Sequence, residues 1–300
     1  MRMVLTGASS FLGRALEQSL LEAGHEVLSL RHSFEEAEKA LPASADVWLH
    51  FAWAGAGSAG RSDERVQAFN VDMSMAALQK AADLGCRRFV FAGSQAEYGP
   101  QAGVQRESAD CRPVSAYGKA KAAFGAQAAD FVRDWNRRQT QNACGAGLLQ
   151  LVHLRIFSVY GPGDHRTALI PSCIRAFRDN RPMDFGPCSQ DWNYLYIDDA
   201  AAAIQLLAEQ PFLTGQPRSE EAPVFVCNVA GEDTRPLRSY IEELRSLCES
   251  SSPLHFGARA NNVEGAADLR PDIGRLKRLG FCQRISFAEG IRRCLREEQQ

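Results

Sequence analysis

Short apolar runs alternate with stretches of helical periodicity through the first half of the chain. This alternation constrains the fold more than any other feature. "RMVLTG" (2–7), "HEVLSLRH" (25–32), "DVWLHFAW" (46–53), "RRFVFAGS" (87–94) and "GLLQLVHLRIF" (147–157) read as strands. Between them, Phe11 to Ala23 places Leu12, Leu16 and Leu20 on one helical face and stops at Gly24. "SFEEAEKALPAS" (33–44) reads as a short polar helix ended by Pro42, and 63–85 and 115–135 as two long helices. Near-continuous apolar strands separated by helices require a parallel sheet covered on both faces. The expected fold is therefore α/β, a Rossmann-type doubly wound parallel sheet with a smaller C-terminal lobe.

The second half is less regular. Residues 166–180 read as a helix with Pro171 near its start, and 192–210 as a strand followed by a helix capped by Asp198 or Asp199. "PVFVCNVA" (223–230) is a strand expected to rejoin the main sheet, and 236–250 and 286–298 are helices. Residues 138–147 and 214–223 read as surface loops.

The first strand runs into the first helix through "TGASSFLG" (6–13), with Gly7 and Gly13 at dinucleotide-loop spacing and Ser10 where a middle glycine is usual. Unpaired N–H groups at a helix start favour a phosphate. Gly7 permits the tight turn, Gly13 lets the helix approach the sheet, and the Ser10 hydroxyl is a possible phosphate donor. After the second strand stand Arg31 and His32, with no acid before Glu35. An acid there suits the ribose of NAD and an arginine suits the 2′-phosphate of NADP, so NADP(H) is favoured over NAD(H).

Tyr117 and Lys121 lie four apart at the start of a helix, on one face. An ammonium near a phenol favours the phenolate, giving a proton donor usable near neutral pH. Ser94 ends the fourth strand, at the carboxyl edge where such sheets bind ligands. Its hydroxyl is a candidate hydrogen-bond donor to a substrate oxygen, or a turn cap.

The 300 residues are 45% hydrophobic and 23% charged, with a net charge of −2 and a pI near 6.3, so no basic surface argues for nucleic acid. The sequence has no apolar stretch of membrane-spanning length and no signal-peptide core, and a cytoplasmic, non-membrane protein is expected. Nine scattered cysteines, without C-x-x-C, read as reduced thiols, with no metal site expected.

Together these segments resemble the extended short-chain dehydrogenase/reductase family, the NAD(P)-dependent nucleotide-sugar epimerase/dehydratases. "TGASSFLG", "HFAWAG" (50–55), "FNVDMSMAALQKAADLG" (69–85), "GSQAEYG" (93–99), "SAYGKAK" (115–121), "LRIFSVYGPGD" (154–164), "YLYIDDAAAAI" (194–204) and "LRPDIGRLKRLGF" (269–281) carry the resemblance, in family order. It implies Ser94, Tyr117 and Lys121 as catalytic residues. It implies Gly7, Ser9, Ser10, Phe11, Leu12, Gly13, Arg31, Phe51, Ala52, Trp53, Asn70, Tyr117 and Lys121 around the cofactor. Gln95, Ser158, Leu169, Arg259 and Asn262 become candidates for the substrate.

Residues 1–160, with 195–230 rejoining them, are expected to form the NAD(P)-binding domain, and 161–194 with 231–300 the substrate-binding lobe. The helices near 63–84 and 116–135, the second with Ala120, Ala123 and Ala126 on one face, are expected to pair in a homodimer.

Departures from the family pattern narrow the chemistry. The 4,6-dehydratases carry an Asp–Glu pair directly after the Ser/Thr, where this chain has Gln95 and Ala96. Strand alternation is expected to turn Glu97 away from the face of Ala96. Ser158 replaces a substrate-contacting Asn, and Trp192–Asn193 replaces Arg–Asp. The short segment between the second and third strands, and more loosely "HFGARANNVEG" (255–265), is similar to the branch that reduces 4-keto-6-deoxy sugars. The implied activity is an oxidoreductase acting on a nucleotide sugar, reducing its 4-keto group with Tyr117 as proton donor. The alternatives are an epimerase that retains NAD and a non-enzymatic NADP(H)-sensing regulator.

Overall fold

The computed structural model describes residues 1–31, 41–56, 60–142, 148–210, 223–260 and 269–297. The expected helix at 33–44 falls largely outside them, as do Asn262, His32, the loop at 214–223 apart from Pro223, and the end of the loop at 138–147.

Six parallel strands form the main sheet: β1 (Arg2–Thr6), β2 (Glu26–Leu30), β3 (Val47–His50), β4 (Arg88–Ser94), β6 (Gln150–Ile156) and β10 (Val224–Val229). β5 (Gly103–Gln105) lies outside this sheet. The order is β10-β6-β4-β3-β1-β2, so the chain reverses direction across the sheet between β1 and β3. A crevice opens at such a switch point, at the carboxyl ends of the strands. β10 pairs with β6 from Val224↔Leu151 to Val229↔Ile156, the return expected of 223–230.

Alternation along the strands sends neighbouring side chains to opposite faces. Met3 and Leu5 bury under α1 (Phe11–Glu22) and a later helix at 197–209, whereas Val4, Trp48, Phe89 and Phe91 bury under α2 (Glu64–Asp83) and α3 (Ala116–Asn142). Leu16 and Leu20 anchor α1 with no exposure, so truncating either to alanine costs ~2–5 kcal/mol. α3 runs through Asn142, so 138–142 is helix rather than the expected loop. That stretch carries polar side chains, and Asn136 just before it bonds the backbone N–H and C=O of Leu149, clamping the helix to the next strand.

A second core gathers around β7 (Ser158–Tyr160), α4 (Leu169–Arg178), β8 (Met183–Phe185), β9 (Asp191–Tyr196) and α5 (Ile197–Glu209). β11 (Thr234–Pro236), α6 (Leu237–Leu247), β12 (Leu254–Phe256), β13 (Leu269–Pro271), α7 (Gly274–Arg278) and α8 (Phe287–Glu297) follow. Tyr160, Tyr194, Tyr240 and Phe287 form its aromatic centre, with ring centroids 4.7–5.7 Å apart. Among the described residues, three two- or three-stranded sheets accompany the main one.

The expected caps of α5 are corrected. Tyr196 is its N-cap residue and makes no side-chain cap, while Asp198 and Asp199 lie inside the first turn. Asp199 instead accepts from the backbone N–H groups of Arg284 and Ile285, 85 and 86 residues away, and so ties α5 to the approach to α8. Among the described residues no helix is long and apolar enough to cross a membrane.

Candidate active site

The turn between β1 and α1 is built by close backbone approach. Gly7 has φ +77°, and a Cβ there would sit 2.5 Å from Ala52 N and from the Phe51 carbonyl carbon. A Cβ on Gly13 would sit 2.9 Å from the carbonyl carbon of Gly7, nearer still to its oxygen, and 2.8 Å from Ser10 Oγ. Gly13 therefore makes room for the turn itself. Ser10 is the N-cap of α1: Gly13 N–H donates to its Oγ at 3.0 Å. The hydroxyl thus satisfies one N–H and keeps its own proton for another acceptor.

The side chains of Phe11 and Leu12 pack into the second core, leaving their backbone at the turn. The Ser9 carbonyl accepts from Arg14, whose other nitrogen donates to Gly163 O at 3.1 Å. Arg14, which the sequence reading missed, joins the loop to the turn after β7.

Arg31 stands just past β2, as expected, but it is paired. Its guanidinium donates to both carboxylate oxygens of Glu17 on α1, at 2.7 and 2.5 Å. Glu17 carried no signal, since the pairing depends on how α1 lies against β2.

The segment after β3 carries the turn to a second cluster. Phe51 is buried beside Gly7, Ala52 is exposed, and Trp53 lies under Lys121, whose Nζ sits 3.7 Å from the Trp53 ring centre. Trp53 Nε1 donates to Gln67 Oε1 at 2.8 Å. Asn70 spends both ends of its amide on Ala54, accepting from its N–H at 2.9 Å and donating to its carbonyl at 2.8 Å. The structure thus places Asn70 as a clamp on this segment.

Beneath it, His50 is fully buried. Ser74 donates its only proton to Asn70 O, so His50 Nε2 donates to Ser74 and Nδ1 accepts from Thr6. Burial, and then the charge of Lys121, bring its pKa down to about 3, so it stays neutral.

Tyr117 and Lys121 share a face of α3, with Lys121 Nζ 5.6 Å from the Tyr117 ring centre. Lys121 donates to Ala92 O at 2.6 Å. Arg61, from a single 3-10 turn (Gly60–Ser62), lies 4.1 Å over the Tyr117 ring. Burial lowers the Lys121 pKa to about 7, Glu97 opposes that fall and Arg61 adds to it. Trp53 meets Tyr117 edge-on at 6.3 Å.

Ser94 ends β4 and caps the next turn, Gln95–Glu97. Its Oγ accepts from Ala96 N–H at 3.2 Å, and its own N–H donates to Glu97 Oε1 at 2.7 Å. These residues form a 3-10 turn, so strand alternation does not describe Glu97. That carboxylate is buried with no exposure, held by His153 at 3.0 Å and Arg155 at 3.5 Å. The Ser-x-x-Glu spacing of a capping box was the signal for it.

The substrate candidates divide. Gln95 Nε2 and Ser158 Oγ meet at 3.4 Å across the ends of β4 and β7, beside Ser94. Leu169 opens α4 and packs against the second core. Arg259 is exposed, its N–H bonded to Phe185 O. Asn193 is saturated by Gly231, Asp233 and Thr234, so it fastens β9 to the turn before β11. On α3, Ala120 is buried whereas Ala123 and Ala126 are exposed.

A sequence model described as the NAD dependent epimerase/dehydratase family matches residues 3–220. CDP-abequose synthase of Salmonella muenchen is 24% identical over 48% of this chain, and the match spans 46% of that protein, under half its length. UDP-glucose 4-epimerase of Streptomyces lividans is 25% identical, covering 91% of this chain and 90% of its own. A dTDP-6-deoxy-L-talose 4-dehydrogenase (NAD(+)) of Aggregatibacter actinomycetemcomitans is 24% identical, covering 81% and 89%. Among solved structures, RMD from Pseudomonas aeruginosa complexed with NADPH superposes with a TM-score of 0.78 at 20% identity, over 99% of this chain and 98% of that one.

Proposed function

The chain belongs to the NAD-dependent epimerase/dehydratase family, and from that membership we propose that it reduces the 4-keto group of a nucleotide-linked 6-deoxy sugar. It is an enzyme of the nucleotide-sugar epimerase and reductase group, and NAD(P) is the cofactor of that group. The proposal adds the reaction, the preference for NADPH and the residue roles.

One observation carries it. Gly7 abuts Phe51 and Ala52, and the next residue, Trp53, lies against both Lys121 and Tyr117. The phosphate turn and the proton-donor pair therefore belong to one continuous surface. The turn fits a dinucleotide: glycine at 7 and 13 lets backbone approach where a Cβ would intrude, and the N-terminal N–H groups of α1 favour a diphosphate.

When bound, the cofactor supplies hydride from its nicotinamide ring. Tyr117 gives its phenolic proton to the oxygen of the carbonyl as negative charge develops there. Lys121, as an ammonium ion, favours the phenolate that remains and so eases the transfer. Ser94 donates a hydrogen bond to the same oxygen and fixes its approach. Gln95 and Ser158 face the sugar. Neither Gln95 nor Ala96 exchanges a proton as a carboxyl group does, which disfavours water elimination. A relative named as a 6-deoxy-L-talose 4-dehydrogenase supports the position of the carbonyl.

Residues 1–160 with 195–230 form the cofactor domain in this reading, and 161–194 with 231–300 the substrate lobe. Phe69, 59% exposed on α2, supports pairing of α2 and α3 across a homodimer.

A second reading, an epimerase retaining NAD, is favoured by the Arg31–Glu17 pair, because a 2′-phosphate must compete with Glu17 for that guanidinium. Fluorescence titration with NADPH and NADH, after a check for co-purifying nucleotide, tests the choice. Tighter NADPH binding, followed by turnover of 4-keto-6-deoxy nucleotide sugars, supports the reductase. Retained, non-exchanging NAD overturns it in favour of the epimerase.

A further inference from the structure

Behind Ser94 lies a buried ionic cluster that the reaction above does not use. Glu97, His153 and Arg155 are all buried, and Glu97 sits within 3.5 Å of both of the other side chains. Three glycines clear the space. A Cβ on Gly93 of β4 would strike Glu97 Oε1 and lie 2.5 Å from His153 Nε2. One on Gly125 of α3 would lie 2.7 Å from His153 Nδ1, and one on Gly118 would lie 2.5 Å from Ala96 O. The pair is therefore wedged between the strand that ends in Ser94 and the helix that carries Tyr117 and Lys121.

Both elements are gripped at the same point. Glu97 accepts from Ser94 N–H at 2.7 Å, and Lys121 donates to Ala92 O at 2.6 Å, two residues back on β4. We propose that Glu97 is a positioning residue for this site: it fixes the Ser94 end of β4, and its buried charge keeps Lys121 an ammonium ion. The proposal rests on the catalytic reading of Ser94, Tyr117 and Lys121.

The electrostatics agree with the geometry. Burial alone would raise the Glu97 pKa, but His153, Arg155 and the Ser94 N–H hold it below the usual carboxylate range. The groups around Lys121 are Arg61 from the 3-10 turn, neutral His50 from β3, Tyr117 on its own helix, and Glu97 with its partners His153 and Arg155. Among the described residues, Glu97 is the anion that acts on Lys121. Burial has already drawn Lys121 to about 7, so loss of that anion takes it below neutrality.

The test is a pH titration of lysine side chains by carbon-13 NMR on the full chain, which has only five lysines, with Lys121→Arg assigning the signal. In Glu97→Gln the amide still accepts from Ser94 but the charge is gone. The Lys121 midpoint is expected to fall by about one pH unit or more, and any turnover loses its alkaline side first. Glu97→Asp keeps the charge but withdraws from Ser94, so the midpoint stays while kcat drops without a change in KM.

Should Glu97→Gln fail to fold around the unpaired Arg155 guanidinium, Glu97→Gln/Arg155→Gln removes one charge of each sign and a smaller fall in the same direction is expected, because the nearer anion is lost along with a more distant cation. An unchanged midpoint in whichever of these folds overturns the electrostatic role, and an unchanged kcat in Glu97→Asp overturns the mechanical one. The titration needs no substrate. A shifted midpoint in a protein that reduces no sugar would leave the Glu97–Lys121 link standing and remove the catalytic reading instead.

Discussion

Replacing Gly13 by alanine tests whether the turn between β1 and α1 holds the cofactor. The new Cβ lies 2.8 Å from Ser10 Oγ, 2.9 Å from the Gly7 carbonyl carbon and closer still to the Gly7 oxygen. That neighbour is backbone, so no rotamer change relieves it. Forcing a methyl into filled space costs ~1–3 kcal/mol, while alanine recovers ~1 kcal/mol over glycine within a helix. Stability therefore changes by only about 0–2 kcal/mol.

Binding suffers more, because relief comes from shifting the N–H donors of the turn. Losing one hydrogen bond to a charged phosphate costs ~1.5–3 kcal/mol, which raises the Kd for NAD(P)H roughly 10- to 150-fold. Fluorescence titration and thermal unfolding of the same samples separate the two effects. Gly24→Ala is the control: its φ is +79° but nothing lies within 4 Å of the new Cβ. It costs stability by ~1–2 kcal/mol and leaves the Kd alone. Wild-type affinity for both nucleotides in Gly13→Ala would refute the reasoning.

Tyr117→Phe is expected to lower kcat about a hundredfold to ten-thousandfold with an unchanged circular dichroism spectrum and melting curve. Arg31→Ala lowers the NADPH:NADH affinity ratio roughly tenfold, whereas Glu17→Gln frees Arg31 and raises it, both read by titration. Lys121→Met abolishes turnover but stabilises the fold. The Lys121 pKa falls on folding from the usual lysine range to about 7, so the unfolded chain binds the extra proton between those values. The penalty is full below pH 7 and is relieved as the pH rises toward 10, so the gain in urea midpoint is large at pH 6 and vanishes near pH 10. Asp199→Ala strips the acceptor from Arg284 and Ile285 N–H groups and costs ~1–3 kcal/mol in urea unfolding, with no change in cofactor affinity.

Most of the architecture was legible because it depends on local pattern. Five of the six strands of the main sheet lie in apolar runs of the first half, and Tyr117 with Lys121 needed only helical spacing to share a face. Errors arose where a partner distant in sequence decided the outcome. Asp198 and Asp199 had the composition of caps, but Asp199 was taken by the 284–285 backbone. Residues 138–142 had a loop composition, but continue α3, which Asn136 fastens to Leu149.

The sequence by itself determined the parallel sheet, the glycine turn and the shared face of Tyr117 and Lys121, because these follow from periodicity, steric allowance and short spacing. Tertiary structure alone decided the charges around them. Arg31 became half of an ion pair when α1 packed beside β2. Glu97 became a buried counter-ion when β6 brought His153 and Arg155 beneath it. Lys121 had its pKa drawn down to about 7 when α3 buried it against Trp53. Desolvation and Coulomb energy depend on what surrounds a group in space, and no local pattern encodes that.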